Sequence, residues 1–249
     1  MKPEELVNFD PRIPKHKPIL TRLIIVLICI MFIAEIYFKG LYSDKALIIL
    51  GAKWNEGITN GEYWRFFSCT LLHGGLLHLF LNLAALHIFG SEVESIFGSF
   101  RFLLIYLISS WGAGLASYAF SPNLAIGASG ALFGIIGSLV MFFFRQREKV
   151  SGATMRFKSM YTLIIINLML GLLIPRIDNS AHIGGVITGL VTGWFISPEY
   201  NIEKDETIGK LHVVKKRDLT RVIAGLFLVL TILYWLSRFA ISIQPIKTN

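Results

Sequence analysis

Ser129 lies in Gly127-Ala128-Ser129-Gly130 at the head of one apolar run, and His182 lies in Ala181-His182-Ile183-Gly184-Gly185 at the head of another. A serine hydroxyl is a weak nucleophile until an adjacent base takes its proton, and serine with histidine is the minimum pair for that task. A hydroxyl and an imidazole at membrane depth are costly unless partnered, so they mark a functional site. The pair points to peptide hydrolysis inside a bilayer.

His78 and Asn82 are four residues apart, so a helix places them on one face. Beside a reactive serine, their expected task is donating hydrogen bonds to the oxyanion that forms when the hydroxyl attacks a carbonyl, a contribution of up to about 3 to 4 kcal/mol per donor. The alternative is interhelical hydrogen bonding, worth about 0.6 to 2 kcal/mol. Next to Ser129 and His182 the oxyanion role is preferred. His73 reads as a loop-bracing group and His87, half a turn round from His78, as structural. There is no His-Glu-x-x-His pattern and no acidic residue between His73 and His87, so neither a metal nor another cofactor is expected.

The elements that must position these groups are membrane helices. Of 249 residues, 54% are hydrophobic and only 16% charged, and mean hydropathy is +0.61, too apolar for a soluble domain of this size. Seven spans are expected, at about 20–38, 71–92, 101–120, 129–144, 159–175, 180–197 and 220–241. Most of the 24 lysines and arginines fall on one side of this arrangement, in runs such as Arg145, Arg147, Lys149, Arg156 and Lys158. The positive-inside bias then puts the N-terminus in the cytoplasm and the C-terminus outside, with the net charge of +8 serving the membrane surface and no nucleic acid partner expected. No cleavable signal peptide is evident, and Cys29 and Cys69, in or beside spans, do not suggest a disulfide framework.

With this topology the second, fourth and sixth spans run in the same direction, which gives His78, Asn82, Ser129 and His182 a common depth. The fourth span is short, leaving Ser129 recessed below an irregular stretch containing Pro122 and Gly127 that is tolerable only within protein or a water-filled cavity. Gly185, Gly189 and Gly193 follow His182 at three, seven and eleven positions, and Gly130, Gly134 and Gly137 follow Ser129, so small residues allow the two helices to approach closely. Asp178, four residues before His182, is expected to cap the sixth helix rather than to complete a triad. The outer loop at about 39–70 is dense in aromatics, and Glu62 and Arg65 have the spacing of a helical ion pair.

Taken together, these motifs resemble the rhomboid family of intramembrane serine proteases over roughly residues 60–195. Glu62-Tyr63-Trp64-Arg65 resembles its outer-loop motif, His73, His78 and Asn82 its second helix, and Gly90 to Glu94 its Gly-x-x-x-Glu. Gly127 to Gly130 resembles its Gly-x-Ser-Gly, and Ala181-His182 with Gly185 and Gly189 its histidine helix.

The resemblance implies an all-α polytopic fold, a six-helix bundle with an additional C-terminal transmembrane helix. It also implies Ser129 as nucleophile, His182 as base and then acid, and an oxyanion hole from His78, Asn82 and the Ser129 backbone N–H. No third catalytic acid is implied, and Glu94 is structural, at the inner end of the second helix.

The expected organisation is a cytoplasmic segment 1–19, a catalytic membrane domain 20–197, a cytoplasmic linker 198–219, a seventh helix 220–241 and an outer tail 242–249. Substrates would be other transmembrane proteins, cut within the lipid bilayer. The extra helix at the C-terminal end resembles the family's six-plus-one form, which implies a prokaryotic or secretory-pathway membrane rather than a mitochondrial one, the prokaryotic inner membrane being the expectation adopted. A catalytically inactive chaperone or quality-control factor that binds transmembrane helices is the alternative; oligomeric state stays open.

Overall fold

The computed structural model describes residues 16–150, 152–175, 177–204, 211–216 and 218–243. Expectations about residues 1–15, Arg176, 205–210, Arg217 and 244–249 lie outside the described residues. Helix dominates because in hydrocarbon every peptide N–H and C=O needs a partner within its own segment.

α1 runs Ile19–Tyr37. Its first amides have no intrahelical acceptor, and the buried Glu94 carboxylate supplies one. It accepts from Leu20 N at 2.9 Å and from Thr21 N and Oγ1 at 2.7 Å each, and Ser99 Oγ donates to it at 2.6 Å. Glu94 thus pins the start of α1 to the end of the second crossing, a wider role than the motif alone implied.

Three short helices follow: α2 (Asp44–Leu50), α3 (Asn55–Thr59) and α4 (Arg65–Ser68). Arg65 organises them. Its guanidinium donates to the carbonyls of Ile48 and Ala52 at 2.7 and 2.9 Å, pairs with Glu62, and lies over the rings of Trp64 and Trp54. A planar cationic fork can serve carbonyls, carboxylate and aromatic faces together, which an ammonium cannot.

The second crossing combines α5 (Leu76–Ala85), one turn of wider winding at Leu86–Gly90, and α6 (Ser91–Phe97). Then come α7 (Ser99–Phe120), α8 (Ser129–Gln146), α9 (Ala153–Leu173) and α10 (Asn179–Ile196). An antiparallel ribbon of β1 (Glu199–Lys204) and β2 (Leu211–Lys216) leads to α11 (Leu219–Ile243). The ribbon occupies a stretch that reads as plain linker. Tyr200 anchors it, buried, with its hydroxyl donating to the Ile96 carbonyl at 3.0 Å, while Glu199 pairs with Arg145, Lys149 and Arg221.

Among the described residues six crossings are long and apolar enough to span a membrane: α1, α5 with α6, α7, α8, α9 and α11. The sixth expected span, α10, is a helix but falls outside that set, because Asn179, His182 and its glycines dilute its apolar character. It packs against α7 and α8 at backbone distance instead. A Cβ on Gly189 would lie 2.0 Å from the Gly134 carbonyl oxygen, one on Gly185 2.0 Å from that of Gly130, and one on Gly184 2.6 Å from that of Gly112. Beneath this contact Phe97, Phe102, Ile105, Ile135, Leu139 and Phe142 form the buried core. α11 docks outside it, with Gly225 against Phe195 and the Trp111 indole donating to Ser237 Oγ at 3.0 Å.

Candidate active site

Ser129 is the first residue of α8 and His182 lies in the first turn of α10. The glycine contacts bring these helix starts together, and His182 Nε2 stands 3.0 Å from Ser129 Oγ. Phe133, one turn along α8 from Ser129, stacks on the imidazole with ring centroids 4.2 Å apart and planes 24° apart. Among the described residues no group hydrogen-bonds the buried Nδ1 of His182. Asp178 has both carboxylate oxygens engaged elsewhere: Oδ1 accepts from Ala181 N at 3.1 Å, capping α10, and Oδ2 accepts from Ser117 Oγ.

His78 approaches from α5. Its Nδ1 accepts from Gly74 N at 3.3 Å, which leaves the proton on Nε2. That edge of the ring faces Gly127: a Cβ there would lie 2.8 Å from Nε2 and 2.7 Å from Cε1. Gly127 has φ +119°, a backbone conformation L side chains rarely adopt, so glycine is required twice over. Asn82 is buried one turn further along α5, its amide donating to the His78 carbonyl at 2.9 Å. The structure therefore brings His78 to the loop ahead of Ser129 and ties Asn82 to His78.

The loop 121–128 is held from the other side. Gly127 N donates to the Cys69 carbonyl at 2.9 Å, and Lys53 and Ala125 exchange backbone hydrogen bonds of 3.0 and 3.2 Å. The Lys53 side chain is fully buried, and burial pushes its amine down to about 8, with Asp178 and Cys69 opposing the shift.

The sequence assigns Phe133, Lys53 and Glu35 no part in the site, Lys53 counting only as one of the basic residues of the outer loop. Phe133 and Lys53 carry no local signal of their own. Glu35 does, as a carboxylate inside an apolar run; its Oε1 accepts from His73 N at 2.8 Å, which fixes the entry to α5. His73 is fully buried, its ring 5.1 Å from that of His78. His87 is exposed on the wider turn. Among the described residues no cluster of three or more His, Cys, Asp or Glu side chains converges to hold a metal.

Comparison with known proteins returns a match to a family model described as Rhomboid domain, over residues 60–199. The chain is 39% identical over 197 residues to the Rhomboid protease GluP of Bacillus subtilis (strain 168), covering 78% of this chain and 37% of that protein. It is 37% identical over 169 residues to RHOMBOID-like protein 2 of Arabidopsis thaliana, covering 66% and 53% respectively. It is also 33% identical over 139 residues to Inactive RHOMBOID-like protein 8 of the same plant, covering 55% and 39%. The matched stretch thus spans between 37% and 53% of the length of these relatives.

Proposed function

The chain belongs to the rhomboid family, and from that premise we propose that it is an intramembrane serine endopeptidase working through a Ser129–His182 dyad. It is an integral multi-pass membrane protein. The single observation carrying the reading is the 3.0 Å approach of His182 Nε2 to Ser129 Oγ.

In the proposed reaction Ser129 Oγ attacks the scissile carbonyl carbon while His182 Nε2 takes the hydroxyl proton. The oxyanion is met by the His78 Nε2–H and by the backbone N–H of Ser129, which as the first residue of α8 has no intrahelical acceptor. Collapse breaks the C–N bond, and the imidazolium returns its proton to the leaving amine. Water, deprotonated by the same nitrogen, then hydrolyses the acyl-enzyme and frees Ser129. Asn82 contributes less directly, because its amide already donates to the His78 carbonyl. With Asp178 engaged by Ala181 and Ser117, the imidazole is oriented by stacking on Phe133 and needs no third acid.

Substrates in this reading are transmembrane proteins, and the excess of basic residues on one side favours a cytoplasmic N-terminus and the organisation 1–19, 20–197, 198–219, 220–241 and 242–249. Relatives come from a bacterium and a plant, so a prokaryotic inner membrane rests on the position of the C-terminal helix alone. One relative is named inactive, which makes turnover the decisive test. A fluorophosphonate probe should label Ser129, and purified protein in liposomes should cut a transmembrane substrate. No labelling and no cleavage would favour a helix-binding chaperone.

A further inference from the structure

We propose that Lys53 is a positioning residue for the oxyanion-forming loop, the segment 121–128 that delivers Gly127 and Ser129; this rests on the protease reading above. Lysine is almost never fully buried unless its charge is met. Here, each of the three ammonium N–H groups has an acceptor: Asn55 Oδ1 at 2.9 Å, the Ser121 carbonyl at 2.9 Å and the Asn123 carbonyl at 2.8 Å. Two of the three lie in the loop itself.

The main chain of the same residue repeats the tie, since Lys53 N donates to Ala125 O and Ala125 N donates to Lys53 O. One residue therefore grips 121, 123 and 125 from a segment some seventy positions earlier in the chain. Asn55 reinforces it, donating to the carbonyls of Tyr118 and Ser121 at 3.2 and 3.3 Å. The asparagine thus fixes its own oxygen for Lys53 while closing off the end of α7.

What the grip controls lies two residues on. Gly127 meets the donor edge of His78 so closely that no Cβ fits between them, and Ser129 with its backbone N–H follows directly. Oxyanion donors act only when they stand at hydrogen-bond distance from where the charge develops, and a misplacement of about 1 Å can cost a hundredfold in rate. A loop released at 121–125 would let Gly127 move off His78 and the Ala128–Ser129 peptide plane turn. That redirects the Ser129 N–H relative to His78 Nε2 while the Ser129 Cα and the His182 ring stay in place on α8 and α10. Loss of Lys53 should then lower the rate of chemistry without abolishing the dyad.

The test uses the full chain in liposomes, comparing wild type, Lys53→Met and Asn55→Ala. Fluorophosphonate titration counts competent sites, and kcat per labelled site and KM are measured on one transmembrane substrate. Amide hydrogen exchange is followed at Ala125 and Gly127. In Lys53→Met the full complement of sites should label, kcat per labelled site should fall at least about tenfold with KM within about twofold, and exchange at Ala125 and Gly127 should quicken. Asn55→Ala, which keeps the ammonium and removes one acceptor, should shift the same quantities by a smaller factor, and it decides the matter if Lys53→Met does not fold. Variants that lose labelled sites or melt earlier, yet keep wild-type kcat per labelled site, would reduce Lys53 to a prop for the fold and overturn the proposal. A wild type that neither labels nor cleaves would remove the protease reading and the catalytic half of this one with it. Unchanged exchange in Lys53→Met would separately overturn the loop tie.

Discussion

Phe133 and His182 stack face to face at 4.2 Å, from two helices whose backbones touch. Because no hydrogen bond holds His182 Nδ1 among the described residues, this stack is what restrains the imidazole plane opposite Ser129. Phe133→Leu keeps the apolar volume while removing the flat face. It should lower kcat about tenfold, whereas Phe133→Tyr should stay near wild type. Equal rates for all three would show that stacking does not orient the base.

Ser129→Ala should abolish cleavage while melting as wild type does in detergent, since it deletes one hydroxyl from a half-buried position. His182→Ala should remove cleavage and probe labelling together. His78→Ala should slow turnover by about a hundredfold or more, and Asn82→Ala by less, given its bond to the His78 carbonyl. Wild-type turnover in His78→Ala would make that ring mere packing.

Asp178→Asn should keep activity within about tenfold of wild type, because both oxygens serve Ala181 N and Ser117 Oγ. Loss of the orienting acid in a triad costs about ten-thousandfold. A drop of that size in folded protein would install Asp178 as the third member.

Gly189→Ala tests the helix contact that brings His182 to Ser129. The new methyl would meet the Gly134 carbonyl oxygen at 2.0 Å, and backbone cannot rotate out of the way as a side chain can. A stability loss of about 1 to 3 kcal/mol is expected, with reduced labelling of Ser129 as the helices part. Unaltered melting and labelling would mean that α8 and α10 have slack.

Rate should also fall as pH rises through about 8. Burial depresses the Lys53 amine to that value, so the ammonium with three donors prevails below it, and a neutral amine with two N–H groups for three acceptors prevails above. A pH–kcat profile from about 6.5 to 9.5 reads this directly, and Lys53→Met should lack the descending limb. A wild-type profile that stays level across that range would contradict the need for the charged form.

Much of the molecule was legible in the order of residues. Apolar runs long enough to cross a bilayer must be helical, because lipid offers the backbone no hydrogen bonds, so the crossings near α1, α7 and α8 follow from composition alone. Parity then places the heads of α5, α8 and α10 together, and His78, Ser129 and His182 are the polar groups at those heads. The small-residue spacing after Ser129 and His182 anticipates the α8–α10 contact, and Asp178 before α10 anticipates its cap. These are local or periodic signals, which one chain carries unaided.

The remainder depended on which distant segments meet. Lys53 in a loop and Phe133 in an apolar run look like a surface cation and one more lipid-facing ring until the fold sets Lys53 against 121–125 and Phe133 against His182. Glu35 becomes the acceptor for His73 N across 38 positions, and Glu94 becomes the anchor for Leu20 and Thr21 across more than seventy. The β1–β2 ribbon exists because Tyr200 and Glu199 find partners on α6, α8 and α11. Residue type states what a side chain can donate, accept or bury, and periodicity states which face of its own helix it lies on. Which acceptor it reaches is decided by packing between helices, and for the imidazole of His182 that packing supplies the 3.0 Å approach to Ser129.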